Sequence, residues 1–215
     1  MATYIHFKNP NSPEIEKLLG TLEKTPGICI FIDIINSTNI KYTSDLKQWG
    51  RKLNNTFNFI SFLNDFPDNI VKGIGDELML FIPDEALKNK STYNDYFGLI
   101  EEIYATIDNL KNFPLEDTFL NCKVGIHYCT DVYNITFFEG YNDYYGRDID
   151  LTARLMMKAK ANRIVLTETL YQKIISDYNQ YHKGQDSECL KSISGKYIED
   201  FKGVPKYTEI RVIDV

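Results

Sequence analysis

Asp33 and Asp76 each stand at the edge of an apolar run, in Phe31-Ile-Asp-Ile34 and Lys72-Gly-Ile-Gly-Asp76. Carboxylates so placed can converge on two hard divalent cations, which take oxygen ligands, and the carbonyl of Ile34 can supply another. The amides of Asn36, Ser37 and Thr38 follow at an expected helix start, where unsatisfied N–H groups and the helix dipole favour phosphate. Lys72 and the run Asp143-Tyr-Tyr-Gly-Arg-Asp-Ile-Asp-Leu-Thr-Ala-Arg154 add a donor, an acceptor and an arginine spaced to meet a base and a polyphosphate. Each residue alone has an ordinary reading. Asp33 can be a helix cap, Asp76 a turn residue, Lys72 and Arg154 solvated surface, and His127 with the tyrosines of 141–145 packing. These readings fail only jointly, because five placements coincide with one chemistry, metal-assisted attack on a nucleoside triphosphate.

Holding such residues requires an alternating α/β layout, and the hydrophobic periodicity supplies one. Residues 27–34 read as a central strand buried on both faces, ending at Asn36-Ser37-Thr38, a helix cap. Leu46, Trp49, Leu53, Phe57 and Ile60 recur at helical intervals. After Pro67, residues 70–72 and 78–82 flank Gly73-Ile-Gly-Asp76 as a hairpin with a glycine turn. Tyr93, Phe97, Ile100, Tyr104, Ile107 and Leu110 mark a second helix, and Cys122, Val124, Ile126 and Tyr128 alternate as in a strand. Residues 151–160 read as a third helix, 163–167 as a strand, and 169–178 as a fourth helix. This order is that of an α+β, ferredoxin-like βαββαβ core with C-terminal additions, in which an antiparallel-dominated sheet is flanked by helices. Residues 180–200 are the most irregular stretch.

A chain of 215 residues with 43% hydrophobic content can bury one substantial core. Its formal net charge of -6, without a Lys/Arg-rich run, argues against a nucleic-acid partner held by bulk electrostatics. A triphosphate would then need local cations. No stretch approaches the ~18 to 20 apolar residues of a membrane span, and the first 24 residues lack the order of a signal peptide. The expectation is a soluble, cytoplasmic protein with no membrane contact. Cys29, Cys122, Cys129 and Cys189 have no metal-ligand spacing and read as buried free thiols.

In combination the motifs resemble the class III nucleotidyl cyclase family, over roughly residues 26–213. The resemblance implies attack of a ribose 3′-oxygen on the α-phosphorus, with pyrophosphate leaving and two divalent metal ions, Mg²⁺ or Mn²⁺, at each site. It implies Asp33, Asp76 and the Ile34 carbonyl as metal ligands, Ser37 and Thr38 on the triphosphate, and Lys72 and Asp143 on the base. Arg154 would be the transition-state arginine, and Lys202, within Phe201-Lys-Gly-Val-Pro205, would reach the phosphates. One position departs from the family pattern. Four residues before the arginine, where the family has asparagine, stands Asp150, which when ionised can only accept hydrogen bonds. The resemblance further implies a homodimer with shared active sites. Asp33 and Asp76 would come from one subunit and Lys72, Asp143, Arg154 and Lys202 from the other. Residues 1–24 would be a short, partly helical extension and 25–215 the catalytic domain.

Within the family the chain looks most like the bacterial Pycsar pyrimidine cyclases, which make cyclic UMP or cyclic CMP for a separate effector during phage infection. The Lys72 and Asp143 pair suits uracil, cytosine and adenine edges alike. Selection of a single-ring base needs bulk, which Tyr42, Tyr141, Tyr144 and Tyr145 offer, Tyr42 and Tyr144 foremost. A bacterial class III adenylate cyclase is the main alternative. A catalytically silent cyclase-like module and a GGDEF-type diguanylate cyclase are more distant ones.

Overall fold

A computed structural model of the chain describes residues 2–6, 13–62, 66–89, 94–113, 118–204 and 207–215; Tyr93 and Pro205 lie outside them. In chain order the elements are β1 (Thr3–Tyr4), α1 (Pro13–Thr21), β2 (Gly27–Ile34), α2 (Ser37–Thr43), α3 (Leu46–Phe62), β3 (Ile70–Ile74), β4 (Glu77–Pro83), α4 (Asp84–Asn89) and α5 (Tyr96–Asn112). There follow β5 (Cys122–Cys129), β6 (Ile135–Thr136), α6 (Arg147–Lys158), β7 (Arg163–Thr167), α7 (Glu168–Tyr181), α8 (Glu188–Lys191), β8 (Tyr197–Glu199) and β9 (Thr208–Asp214).

The main sheet runs β3-β4-β2-β5-β7-β9-β8, with β5 and β7 parallel and every other neighbouring pair antiparallel. Its first four strands, taken with α3 and α5, make the expected ferredoxin-like core. Strand β2 is central because its β-branched and aromatic side chains fill both faces. Ile28, Ile30, Ile32 and Ile34 pack with Ile60 of α3, Phe97, Ile100, Ile103 and Ile107 of α5, and Leu170 and Ile174 of α7. On the other face Cys29 and Phe31 meet Met79, Phe81, Cys129, Tyr144 and Met156. All four cysteines are buried and free. Among the described residues no helix is long and apolar enough to cross a membrane.

Several elements differ from the periodicity. Helix α6 begins at Arg147, a turn earlier than the apolar pattern suggests, because its first turn is acidic and polar (Arg147, Asp148, Asp150), a composition that suits a helix N-terminus. Asn36 opens α2 with φ 58°, a left-handed residue that turns the chain, and its side chain makes no cap bond. The irregular stretch holds α8 and β8, and β9 inserts between β7 and β8. Strand β1 pairs in parallel with β6 as a separate two-stranded ribbon.

Helix α6 lies on the sheet only because β5 carries glycine at its centre. A Cβ at Gly125 would collide with the Met156 amide nitrogen and stand 2.7 Å from both Met156 Cα and Thr152 O. Gly125→Ala must therefore push α6 off the strand. We expect a loss of about 2 kcal/mol or more in equilibrium urea unfolding, as overpacked cores typically show.

Candidate active site

The end of β2 and the β3–β4 turn meet in one depression of about 590 Å³, lined by Asp33, Ile34, Asn36, Ser37, Thr38, Asn39, Tyr42 and Asp76. A backbone bond from the Ile34 N–H to the Asp76 carbonyl, 3.3 Å, brings the two segments together. Gly75, at φ 68°, makes the turn that presents Asp76, and the Ser37 hydroxyl donates to the Asp76 carboxylate. Because the Ile34 side chain is in the core, only its carbonyl is left for the depression. Six of the expected site residues thus share one place: Asp33, Ile34, Ser37, Thr38, Tyr42 and Asp76.

Two lysines that the sequence reading missed balance these carboxylates. Lys123 Nζ lies 2.9 Å from Asp33 Oδ2, and Lys41 Nζ lies 3.5 Å from Asp76 Oδ1. Lys123 is the cross-strand partner of Asp33 in the β2–β5 register, and Glu77 is its partner on the β4 side. Burial first, and then the nearby Asp33 carboxylate, push the Glu77 carboxyl up, with Lys123 opposing.

A second depression of about 560 Å³ opens on the face of β3, β4 and α6, with Lys72, Glu77, Tyr145, Arg147 and Asp150 among its lining. Here Lys72 Nζ reaches both oxygens of Asp143, at 2.8 and 2.9 Å, and Asp143 Oδ1 also accepts the Tyr144 N–H at 2.8 Å. Lys72 follows a bulge in β3, between the pairs Ile70–Leu80 and Lys72–Met79. Its ammonium lies 5.3 Å from the centre of the Tyr145 ring, which packs edge-on against Phe137 at 5.1 Å. Tyr144, expected as pocket bulk, does line this depression, but it also stacks on Phe81 at 4.2 Å and is 8% exposed, so most of its ring belongs to the core. Tyr42 is 87% exposed and sits on the carboxylate side. Asp150 and Arg154 are one helical turn apart on α6, and the exposed Lys202-Gly203 turn lies beside the arginine. A Cβ on Gly203 would be 3.5 Å from Arg154 Nη2. The two depressions are lined by different residues, with Asp33 and Asp76 in one and Lys72 in the other.

The start of α6 is fixed by a buried tie. Asp148 accepts the N–H groups of Thr130 and Asp131 at 2.6 and 2.8 Å, and its other oxygen lies 3.7 Å from His127 Nε2. His127 Nδ1 is 2.9 Å from the Thr167 hydroxyl, so β5, β7 and α6 are joined through one side chain. Cys129 offers its sulfur within 4.8 Å of both, and burial holds this thiol well above its ordinary pKa. His127 thus links these elements through polar contacts, where the sequence suggests packing.

A family model described as the adenylate and guanylate cyclase catalytic domain matches residues 22–198. No curated protein matches the sequence. Among solved structures, the adenylyl cyclase CyaB from P. aeruginosa is 20% identical, with TM-score 0.65 over 89% of this chain and 94% of that one. The guanylate cyclase domain of RhGC from Catenaria anguillulae, in complex with GTP, is 16% identical with TM-score 0.65, covering 89% and 97%. A non-canonical dimeric guanylyl cyclase domain of the RhoGC fusion protein from the aquatic fungus Blastocladiella emersonii is 16% identical with TM-score 0.61, again covering 89% and 97%.

The Asp148 tie has a pH signature. Burial acts to push this carboxyl up, but the nearby His127 and the hydrogen bonds from the Thr130 and Asp131 N–H groups outweigh it and hold the pKa at about 2. An unfolded aspartate titrates near about 3.9, so protonation favours the unfolded chain. The stability Asp148 supplies is complete above about pH 4 and drains as pH falls toward about 2. Asp148→Asn should be less stable at neutral pH and lose stability less steeply on that acid limb, read by denaturant titrations at a series of pH values.

Proposed function

We propose, from the premise that this chain belongs to the family of adenylate and guanylate cyclase catalytic domains, that it converts a nucleoside triphosphate to its 3′,5′-cyclic monophosphate with release of pyrophosphate. The observation that carries this reading is the meeting of Asp33 and Asp76 in one depression beside the start of α2. Class III cyclases use divalent metal ions, and the donor set here fits them: two carboxylates and a backbone carbonyl, all hard oxygen ligands. Asp33, Asp76 and the Ile34 carbonyl would hold two ions, Mg²⁺ or Mn²⁺. When bound, these supply activation of the 3′-hydroxyl and charge compensation on the phosphates.

The remaining steps belong to the chain's own groups. Ser37 and Thr38 line the seat for the triphosphate. Lys72 donates to the base and Asp143 accepts from it, their mutual ion pair holding both ready. Arg154 and Lys202 approach the phosphates, where the arginine stabilises charge on the transferring phosphoryl group. Asp150 accepts a hydrogen bond from the ribose side. Since the carboxylate depression and the base depression are lined by different residues, we place a complete site between two copies of the chain, in a homodimer with two equivalent sites.

For the base we propose a pyrimidine, UTP ahead of CTP, with Tyr42 and Tyr145 supplying the bulk that excludes a second ring. Support comes from the Tyr145 ring against Lys72 and from the likeness of the Asp143 to Arg154 run to the Pycsar enzymes. In that reading the protein is the cytoplasmic second-messenger synthase of an antiphage system, and a separate effector reads its product.

Asp33→Asn and Asp76→Ala should each abolish cyclisation while leaving the folded protein and its dimer intact, and Arg154→Ala should lower turnover by about 10³-fold, on the scale of arginine fingers. Near wild-type turnover by either aspartate variant refutes the metal assignment. With equimolar UTP, CTP, ATP and GTP and Mn²⁺, mass spectrometry should find cyclic UMP or cyclic CMP in clear excess. A cyclic AMP excess would identify an adenylate cyclase instead.

A further inference from the structure

Residues 2–6 precede the stretch matched by the family model, which starts at residue 22, yet they are built into the base side of the site. The Thr3 N–H donates to the Asn134 carbonyl at 3.0 Å, and the Ile5 N–H donates to the Thr136 carbonyl at 2.7 Å. The Ala2 N–H donates to Asn142 Oδ1 at 3.0 Å, one residue before Asp143. Ile5 is 9% exposed, so β1 is anchored by its side chain as well as by its backbone.

The segment that β1 grips is the one that carries Asp143 and Tyr145. Tyr133 and Tyr145 exchange two backbone bonds, 2.8 and 3.0 Å, which close the segment into a loop. Between β6 and that closing bridge, residues 137–144 belong to no helix or strand. A loop with little structure of its own holds one geometry only when outside contacts impose it. Strand β1 and the residues either side of it, Ala2 and Ile5, meet it at three points: the Asn134 and Thr136 carbonyls on one limb and Asn142 on the other.

We propose that β1 is a positioning strand for base recognition: by clamping both limbs of the 133–145 loop it fixes the Asp143 carboxylate against Lys72. The inference rests on the reading of Lys72 and Asp143 as base contacts. It places selectivity partly in a segment ahead of the family match.

The test uses backbone donors. Proline lacks an N–H, so Thr3→Pro with Ile5→Pro removes the two bonds that Thr3 and Ile5 donate to the loop, and Asn142→Ala removes the contact with Ala2. Tyr4→Pro is the control, since strand alternation turns the Tyr4 N–H away from β6 and proline is tolerated at such edge positions. The double variant should raise KM for the preferred triphosphate about tenfold and shrink the product ratio among equimolar triphosphates to a similar extent. Its kcat should fall less than about threefold, the pattern of lost binding rather than lost chemistry. Asn142→Ala should do the same to a smaller degree, and Tyr4→Pro should keep the wild-type ratio. Unchanged KM and product ratio in the double variant would overturn the proposal. So would an equal loss in the Tyr4 control, or a fall in kcat at constant ratio, since those mark general destabilisation. A wild type that cyclises none of the four triphosphates defeats the cyclase reading itself, a result distinct from any difference between variant and active wild type.

Discussion

A strand buried on both faces has no room for a charge except at its ends, and this constraint on β2 organises the molecule. Six consecutive side chains, Ile28 to Asp33, alternate between two packed layers, and the first five are almost fully buried. Only at Asp33 does the sheet edge open enough to admit a carboxylate. The Ile34 N–H then bonds the β3–β4 turn, so the second carboxylate arrives by the same pairing that completes the sheet. Chemistry at this position is thus a by-product of where the core stops.

Charge in the site is arranged in opposed pairs. Asp33 faces Lys123, Asp76 faces Lys41, and Asp143 faces Lys72, each at 3.5 Å or less. Each carboxylate has a cation beside it without deep burial, which limits the desolvation cost that makes buried ion pairs expensive. The pairs also answer how an acidic chain can receive a polyanion. Cations are placed locally, against an overall charge of -6. Entry of divalent ions at the first two pairs would free two lysines beside a triphosphate.

Much of this was legible in the sequence, for physical reasons that also explain the rest. The run from Gly27 to Ile34 announces itself because a two-sided strand must be apolar throughout, and the Gly75-Asp76 turn because left-handed backbone favours glycine. Lys123 was not legible: alternation gives its parity along β5, but its facing Asp33 depends on a pairing register between residues ninety positions apart in sequence. Tyr144 and Tyr145 are neighbours of the same type, and composition cannot say which one is mostly core. The structure puts Tyr144 on Phe81 and Tyr145 beside Lys72. Strands as short as β1 and β6 carry no periodic signal at all. The family resemblance and the matched family agree, whereas the choice of base rests on a few side chains whose environment no periodicity encodes.

The bulged strand β3 lies at the rim of the sheet, bonded to β4 alone. Rim strands are the parts of a sheet that open at least cost, while the centre opens only with the whole fold. Lys72 therefore hangs on a rim strand, while Asp33 sits on a central one. Substitutions around Lys72 can reshape that rim without endangering folding, whereas those around Asp33 cannot. A lineage built on this plan could remodel the rim many times over while the Asp33 end of β2 stayed fixed.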